Sequence, residues 1–175
     1  YINWDSYILT DSGGFQAWSL GANQTDKGIE FKSVYDGSNL LMTPEISIKT
    51  QEELGSDIAM VLDSLVSMNS SVNEINESIN RTSDWSETAK SIHSNDNQSL
   101  FGIIQGGIST QHREKSVKSI TDISFDGYAI GGLSVGEDIT DRIRIVELCV
   151  SLIDEIKPIY VMGLGDVAGM LDLIE

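Results

Sequence analysis

Cysteine is nearly absent from this 175-residue chain: Cys149 stands alone, so no disulfide framework can form within it and its own residues cannot build a cysteine-rich zinc site. A reducing, cytoplasmic setting is the expectation. Long apolar runs are missing too. None approaches the roughly 18–20 residues that a membrane-spanning helix needs, and no signal-peptide pattern opens the sequence. Basic residues are scarce, 11 Lys and Arg against 27 Asp and Glu, for a formal net charge of −16 at pH 7. A surface this acidic repels phosphate backbones and anionic membranes, so composition alone argues against both as partners. No internal repeat is visible. The chain opens on Tyr1 rather than Met, and a helical pattern is still running at Leu171–Glu175, so it reads as a piece of a longer protein.

What is present suits a folded domain. Hydrophobic residues make up 40% of the chain, too many for a disordered acidic tail. Residues 1–175 read as one domain or the central part of one. Short apolar runs alternate with amphipathic helical stretches, which is the pattern of a parallel sheet with crossover helices. The runs are Tyr7–Thr10, Ile58–Leu62, Leu100–Ile104, Tyr128–Ile130 and Ile159–Met162. Thr43, Pro44 and Gly55 read as the cap, first position and stop of one helix. Val72, Ile75, Ile79, Thr82, Ala89 and Ile92 keep a helical stripe through a Ser/Asn-rich stretch. Ser109 is placed to cap the helix carrying Val117 and Ile120. Ile145, Leu148, Cys149, Leu152 and Ile156 predict a helix that Pro158 ends. Tyr35-Asp36-Gly37-Ser38, flanked by Phe31, Val34, Leu40 and Leu41, reads as a hairpin inserted after the first strand.

Each apolar run ends in a polar group or a glycine: Asp11-Ser12-Gly13-Gly14, Asp63, Gln105-Gly106-Gly107, Gly131-Gly132 and Gly163. In a barrel or open parallel sheet the carboxyl ends of the strands share one rim, and that rim holds the site. Two carboxylates, an amide and close-approach glycines suit a planar, nitrogen-rich ligand. Carboxylates accept from ring N–H and amino groups, an amide donates and accepts, and glycine lets the backbone reach the ligand edge. Taken singly, each residue has a plainer reading. Asp11 can cap a turn and Asp63 a helix, while Phe15 and Met162 can be core. His93 and His112 are expected at the surface and Cys149 in the core.

Taken together, the motifs resemble the tRNA-guanine transglycosylase family. They are Leu9–Gln16 (LTDSGGFQ), Gly55–Asp63 (GSDIAMVLD), Phe101–Gly107 (FGIIQGG), Asp126–Glu137 (DGYAIGGLSVGE) and Tyr160–Gly165 (YVMGLG), five ordered blocks from one end of the chain to the other. The resemblance implies an α/β fold, a partial (β/α)8 TIM barrel with a β-hairpin insertion. It implies an enzyme that flips guanine out of tRNA and exchanges it for a 7-deazaguanine through a covalent enzyme–tRNA intermediate. By the same resemblance Asp11 is the general acid/base. Ser12 and Phe15 belong to the base site, with Phe15 stacking on the base. Asp63 and Gln105 read its edge, Gly131, Gly132 and Leu133 supply backbone contacts, Glu137 lies near the base-recognition peptide, and Met162 packs on the other face. Gly163, Leu164, Gly165 and Asp166 belong to a loop that touches RNA.

The family's nucleophilic aspartate, its zinc site and its basic RNA-gripping residues are expected beyond Glu175. Zinc is therefore a cofactor expected of the full-length protein, with no ligand in this chain, and the chain alone is expected to be inactive. The partners implied are tRNA, a guanine or 7-deazaguanine base, and a second copy or a related subunit in a dimer; no membrane is implied. Ser64 and Leu65 follow Asp63 where bacterial members commonly carry Glu-Cys. The GGLSVGE and IIQGG blocks resemble the queuosine branch, which acts at the wobble position with queuine or its precursor as the incoming base. The alternatives are an archaeosine-type enzyme acting on the dihydrouridine loop and a non-catalytic accessory subunit. Retention of Asp11, Asp63 and Gln105 disfavours the latter.

Overall fold

The computed structural model describes residues 3–154 and 156–174; Tyr1 and Glu175, on which the reading of the chain ends rests, lie outside them. Five short strands form one parallel sheet in the order β1 (Leu9–Thr10), β5 (Ile58–Met60), β6 (Ser99–Ile104), β7 (Gly127–Ile130), β8 (Ile159–Val161). Helices α2 (Pro44–Leu54), α3 (Val72–Ile92), α4 (Thr110–Ile123) and α5 (Ile139–Leu152) connect them. Successive neighbours in a parallel sheet, each joined by a helix, are the repeating unit of a (β/α)8 barrel, and the five strands make a curled part of one. Between β1 and α2 lie α1 (Gly14–Ser19) and an antiparallel sheet of β2 (Asn23–Thr25), β3 (Gly28–Lys32) and β4 (Asn39–Met42). The expected hairpin is β3–β4, and β2 adds a third strand to it.

The core explains why these elements form. Ala59, Met60, Leu100, Ile103, Ile104, Ala129 and Ile130 are fully buried between the strands and the inner faces of α2 to α5, as strands covered on both faces should be. The outer strands β1 and β8 are only part-buried. Helix starts follow side-chain chemistry. Thr43 accepts from Ile46 N–H with Pro44 next in line, Ser71 and Glu74 form a reciprocal capping box, and Ser109 accepts from His112 N–H. Gly55 ends α2 in the left-handed region. One stop differs from expectation. Helix α5 ends at Leu152, not at Pro158, because Ile153 leaves the helix and turns into the core; Leu152 and Ile156 are exposed. The histidines differ as well. His93 and His112 are half-buried against Gln98 and Asn76, in contacts between elements that a single helical stripe does not show.

Candidate ligand site at the strand ends

Because all five strands run the same way, their carboxyl ends meet on one rim. Asp11 follows β1, Asp63 lies three residues beyond β5, Gln105 follows β6, Gly131 and Gly132 follow β7, and Met162 and Gly163 follow β8. There all of these but Gln105 line a cavity of about 400 Å³; Gln105 is fully buried and reaches the site only through its bond to Asp63. Asp11, Phe15, Asp63, Gly131, Gly132, Leu133, Met162 and Gly163 line it, so residues up to 152 positions apart are neighbours.

The back wall is buried and tightly bonded. Asp63 and Gln105 are buried, and Gln105 Nε2 donates to Asp63 Oδ2 at 2.5 Å. Burial raises the Asp63 carboxyl from 3.8 to about 7. The Asp11 charge pushes the same way, and the Gln105 and Ser12 hydrogen bonds oppose it. Asp63 is thus a carboxyl poised at neutral pH, in a pocket where an N–H donor would favour its charged form. Gln105 Oε1 is buried with no hydrogen-bond partner among the described residues. Gly132 has φ +64°, and a Cβ there would collide with Gln105 Oε1, so only glycine fits beside the amide.

Ser12 does not line the cavity. Its buried hydroxyl accepts from Gly14 N–H at 3.2 Å. Glu137 also stands back from the cavity. Its carboxylate accepts from Ser134 N–H at 2.6 Å, Val135 N–H at 3.0 Å and Arg142 Nε at 2.8 Å, which shapes the 133–136 loop over the pocket. Burial works to raise this group, but the Arg142 guanidinium and the two loop N–H groups outweigh it and hold it at about 2. Ser134 is held at φ +61° in that loop, an unusual value for a residue with a Cβ.

The mouth is open. Asp11 is exposed, and among the described residues its Oδ1 accepts only its neighbour's N–H, from Ser12 at 2.9 Å. Phe15 is 48% exposed and leans on Trp18 with ring centroids 6.0 Å apart. Leu164, Gly165 and Asp166 lie outside the cavity lining; Asp166 caps α6 (Val167–Asp172) by accepting from Gly169 N–H at 2.9 Å. Gln16, Leu65, Ser134, Val135 and Tyr160 also line the cavity and were not singled out in the sequence. The signal for them was proximity: each lies within three residues of one that was. Among the described residues no group of three or more His, Cys, Asp and Glu converges to hold a metal ion.

A strand rim that gathers two carboxylates and glycine peptides around an aromatic-edged cavity, with an amide bonded to one carboxylate, marks a (β/α)-barrel type of protein with a cavity whose lining suits a planar heterocycle. Comparison with known proteins makes this particular. The queuine tRNA-ribosyltransferase family model matches residues 1–175, and the chain belongs to that family. Similar proteins named queuine tRNA-ribosyltransferase include those of Idiomarina loihiensis, 44% identical over 99% of this chain and 47% of the relative, and Thermotoga petrophila, 43% identical over 100% and 48%. That of Francisella tularensis subsp. novicida is 42% identical over 99% and 48%. The chain spans about half the length of these relatives.

Proposed function

We propose that this chain supplies the base-recognition half of a tRNA-guanine transglycosylase, which exchanges guanine at the tRNA wobble position for a 7-deazaguanine, queuine or its precursor. The observation that carries the reading is the gathering of Asp11, Asp63 and the Gly131–Gly132 peptides around one cavity, with the Gln105 amide bonded to Asp63. A guanine-type edge offers adjacent N–H donors beside a carbonyl acceptor. Asp63 accepts from the former, and Gln105 with the strand-end N–H groups serves the latter. Phe15 and Met162 hold the two faces of the ring. Asp11, exposed at the mouth, is the acid/base for the departing and arriving base. By the family resemblance the carboxylate nucleophile and the zinc site are assigned to parts of the protein outside residues 1–175.

Gly163 to Asp166, on the open side, are placed to meet the RNA next to the flipped nucleotide. The charge of −16 fits a division of labour in which the cationic grip on tRNA lies mainly elsewhere in the protein. A dimer, of two copies or with a related subunit, and a cytoplasmic setting complete the proposal. No helix among the described residues is long and apolar enough to cross a membrane.

Base exchange tests the reading. The full-length protein is given labelled guanine and a tRNA transcript with a wobble guanine, beside one lacking it. Incorporation only into the first is expected. Incorporation into both points to a different tRNA position, and incorporation into neither rejects the activity.

A further inference from the structure

Among the described residues Arg113 is the largest fully buried side chain, and no carboxylate pairs with it. A buried guanidinium is costly unless its donors are used. Here all the acceptors are backbone carbonyls at the strand ends that carry the base site. Nε donates to Gly107 O at 2.7 Å, one terminal nitrogen to Ile104 O at 2.8 Å, and the other reaches Gly132 O at 3.5 Å. These carbonyls bracket Gln105 in sequence and belong to Gly132 itself. Ile104 O also accepts from Gly131 N–H at 3.0 Å, so one oxygen joins β6, β7 and the guanidinium.

The same helix adds a second tie. Ser116 Oγ accepts from Gln105 N–H at 3.0 Å. Gly106 lets α4 close in, since a Cβ there would sit 2.9 Å from Arg113 N. In a planar trans peptide C=O and the following N–H point in opposite directions, so anchoring Gly132 O turns Leu133 N–H away from the guanidinium. Burial lowers the Arg113 guanidinium only to about 10, with Cys149 and Glu137 opposing the fall, so it is cationic at neutral pH.

We propose that Arg113 is a positioning residue for base recognition: from outside the cavity its guanidinium sets the Gln105 amide and the Gly132–Leu133 peptide in register with one heterocycle edge. Lysine has the charge but not the planar fork, so it cannot hold three diverging carbonyls. The inference rests on the transglycosylase reading, and the experiment separates the two.

In the full-length protein, Arg113→Lys and Arg113→Gln are compared with the parent. The readouts are guanine Kd by calorimetry, the ratio of guanine to hypoxanthine affinity, kcat, the KM for a tRNA transcript, and the melting temperature. Both variants should weaken guanine by roughly ten- to hundredfold, the size of one lost charge-assisted hydrogen bond. They should also narrow the guanine/hypoxanthine ratio, which depends on the edge contacts, and leave tRNA KM within about twofold. Parental guanine affinity and selectivity in either folded variant would overturn the assignment. Loss of folding in both would overturn it too, making Arg113 a keystone of the fold. Failure of the parent to bind guanine would instead count against the transglycosylase reading.

Discussion

The back of the cavity and its mouth are built by opposite rules. At the back, Asp63, Gln105, Arg113 and Ser116 are each at most 4% exposed and tied to strand-end backbone or to each other. At the mouth, Asp11 is exposed, Phe15 is half-exposed, and the 163–166 segment makes few side-chain bonds beyond the Asp166 cap. A buried, bonded wall suits reading a base, because a misplaced donor there leaves a buried partner unsatisfied. An open mouth suits acid/base work on a group held by a large RNA. The comparison makes distinct predictions for the two regions: changes at the back should alter base affinity and selectivity, and changes at the mouth should alter turnover or RNA affinity.

The largest effect is expected at the mouth. Asp11→Ala in the full-length protein should lower the rate of labelled-guanine exchange by roughly 10²–10⁴-fold, the span of a lost general acid/base. At pH 8, where Asp63 is ionised in both proteins, base affinity by calorimetry and the melting temperature should stay near the parent, since Asp11 makes no long-range bond among the described residues. Loss of base binding in that variant would move Asp11 from mouth to wall.

The next effect is at the back. Asp63→Asn removes a charge-assisted acceptor, so guanine should bind about 1.5–3 kcal/mol more weakly. Guanine affinity of the parent should rise as pH passes upward through about 7, where Asp63 loses its proton, and the variant should lack that rise. Stability should move the other way. Between the ordinary 3.8 and about 7 the folded chain holds a proton that the unfolded chain has released. Its stability therefore falls as pH rises across that window. Asp63→Asn should flatten this slope in denaturant melts, so that at pH 8 the variant is the more stable protein and the poorer binder. A variant less stable at pH 8 than the parent would show that Asp63 is a structural carboxylate.

The two regions were also unequally visible in the sequence. Strand ends betray themselves, because an apolar run stopping at Asp63, Gln105 or Gly131-Gly132 marks both a buried strand and a rim residue. Asp11 shows in the same pattern, whereas Phe15 and Met162, which singly read as core, are marked only by the family resemblance. The supports behind the wall did not. Arg113 lies in the polar run Gln111–Lys115, where charge normally means a solvated face, and nothing local shows that three carbonyls await it. Gln51 was hidden for the same reason. It sits in a Thr-Gln-Glu-Glu run, yet its amide bonds both Met60 N–H and Met60 O at 2.9 Å, acting as a strand partner for β5. Buried polar supports are set by what another element presents, and that is information about topology. The end of α5 followed the same logic, since Ile153 leaves the helix for a core that the stripe alone does not describe.

A smaller effect is expected from the stacking platform. Phe15→Ala should cost about 1–3 kcal/mol of base affinity if the ring stacks on the base. It should leave the guanine/hypoxanthine ratio unchanged, because a ring face does not distinguish edges. A changed ratio would mean that Phe15 props up the wall.

The smallest effect tests whether the 163–166 segment acts by chemistry or by shape. Asp166 carries a negative charge where RNA is proposed to pass, which by itself repels phosphate. Among the described residues its one side-chain bond is the α6 cap. Asp166→Asn keeps a capping oxygen and removes the charge, whereas Asp166→Ala loses the cap at roughly 0.5–2 kcal/mol of local helix stability. If the residue serves the loop's shape, Asp166→Asn should hold tRNA KM at or slightly below the parent and Asp166→Ala should raise it a few-fold. Guanine affinity should be unchanged in both, because the cavity lining ends at Gly163. An Asp166→Asn protein with weaker tRNA binding would instead show a direct hydrogen bond from RNA to the carboxylate. The mouth would then read its substrate as the back wall does.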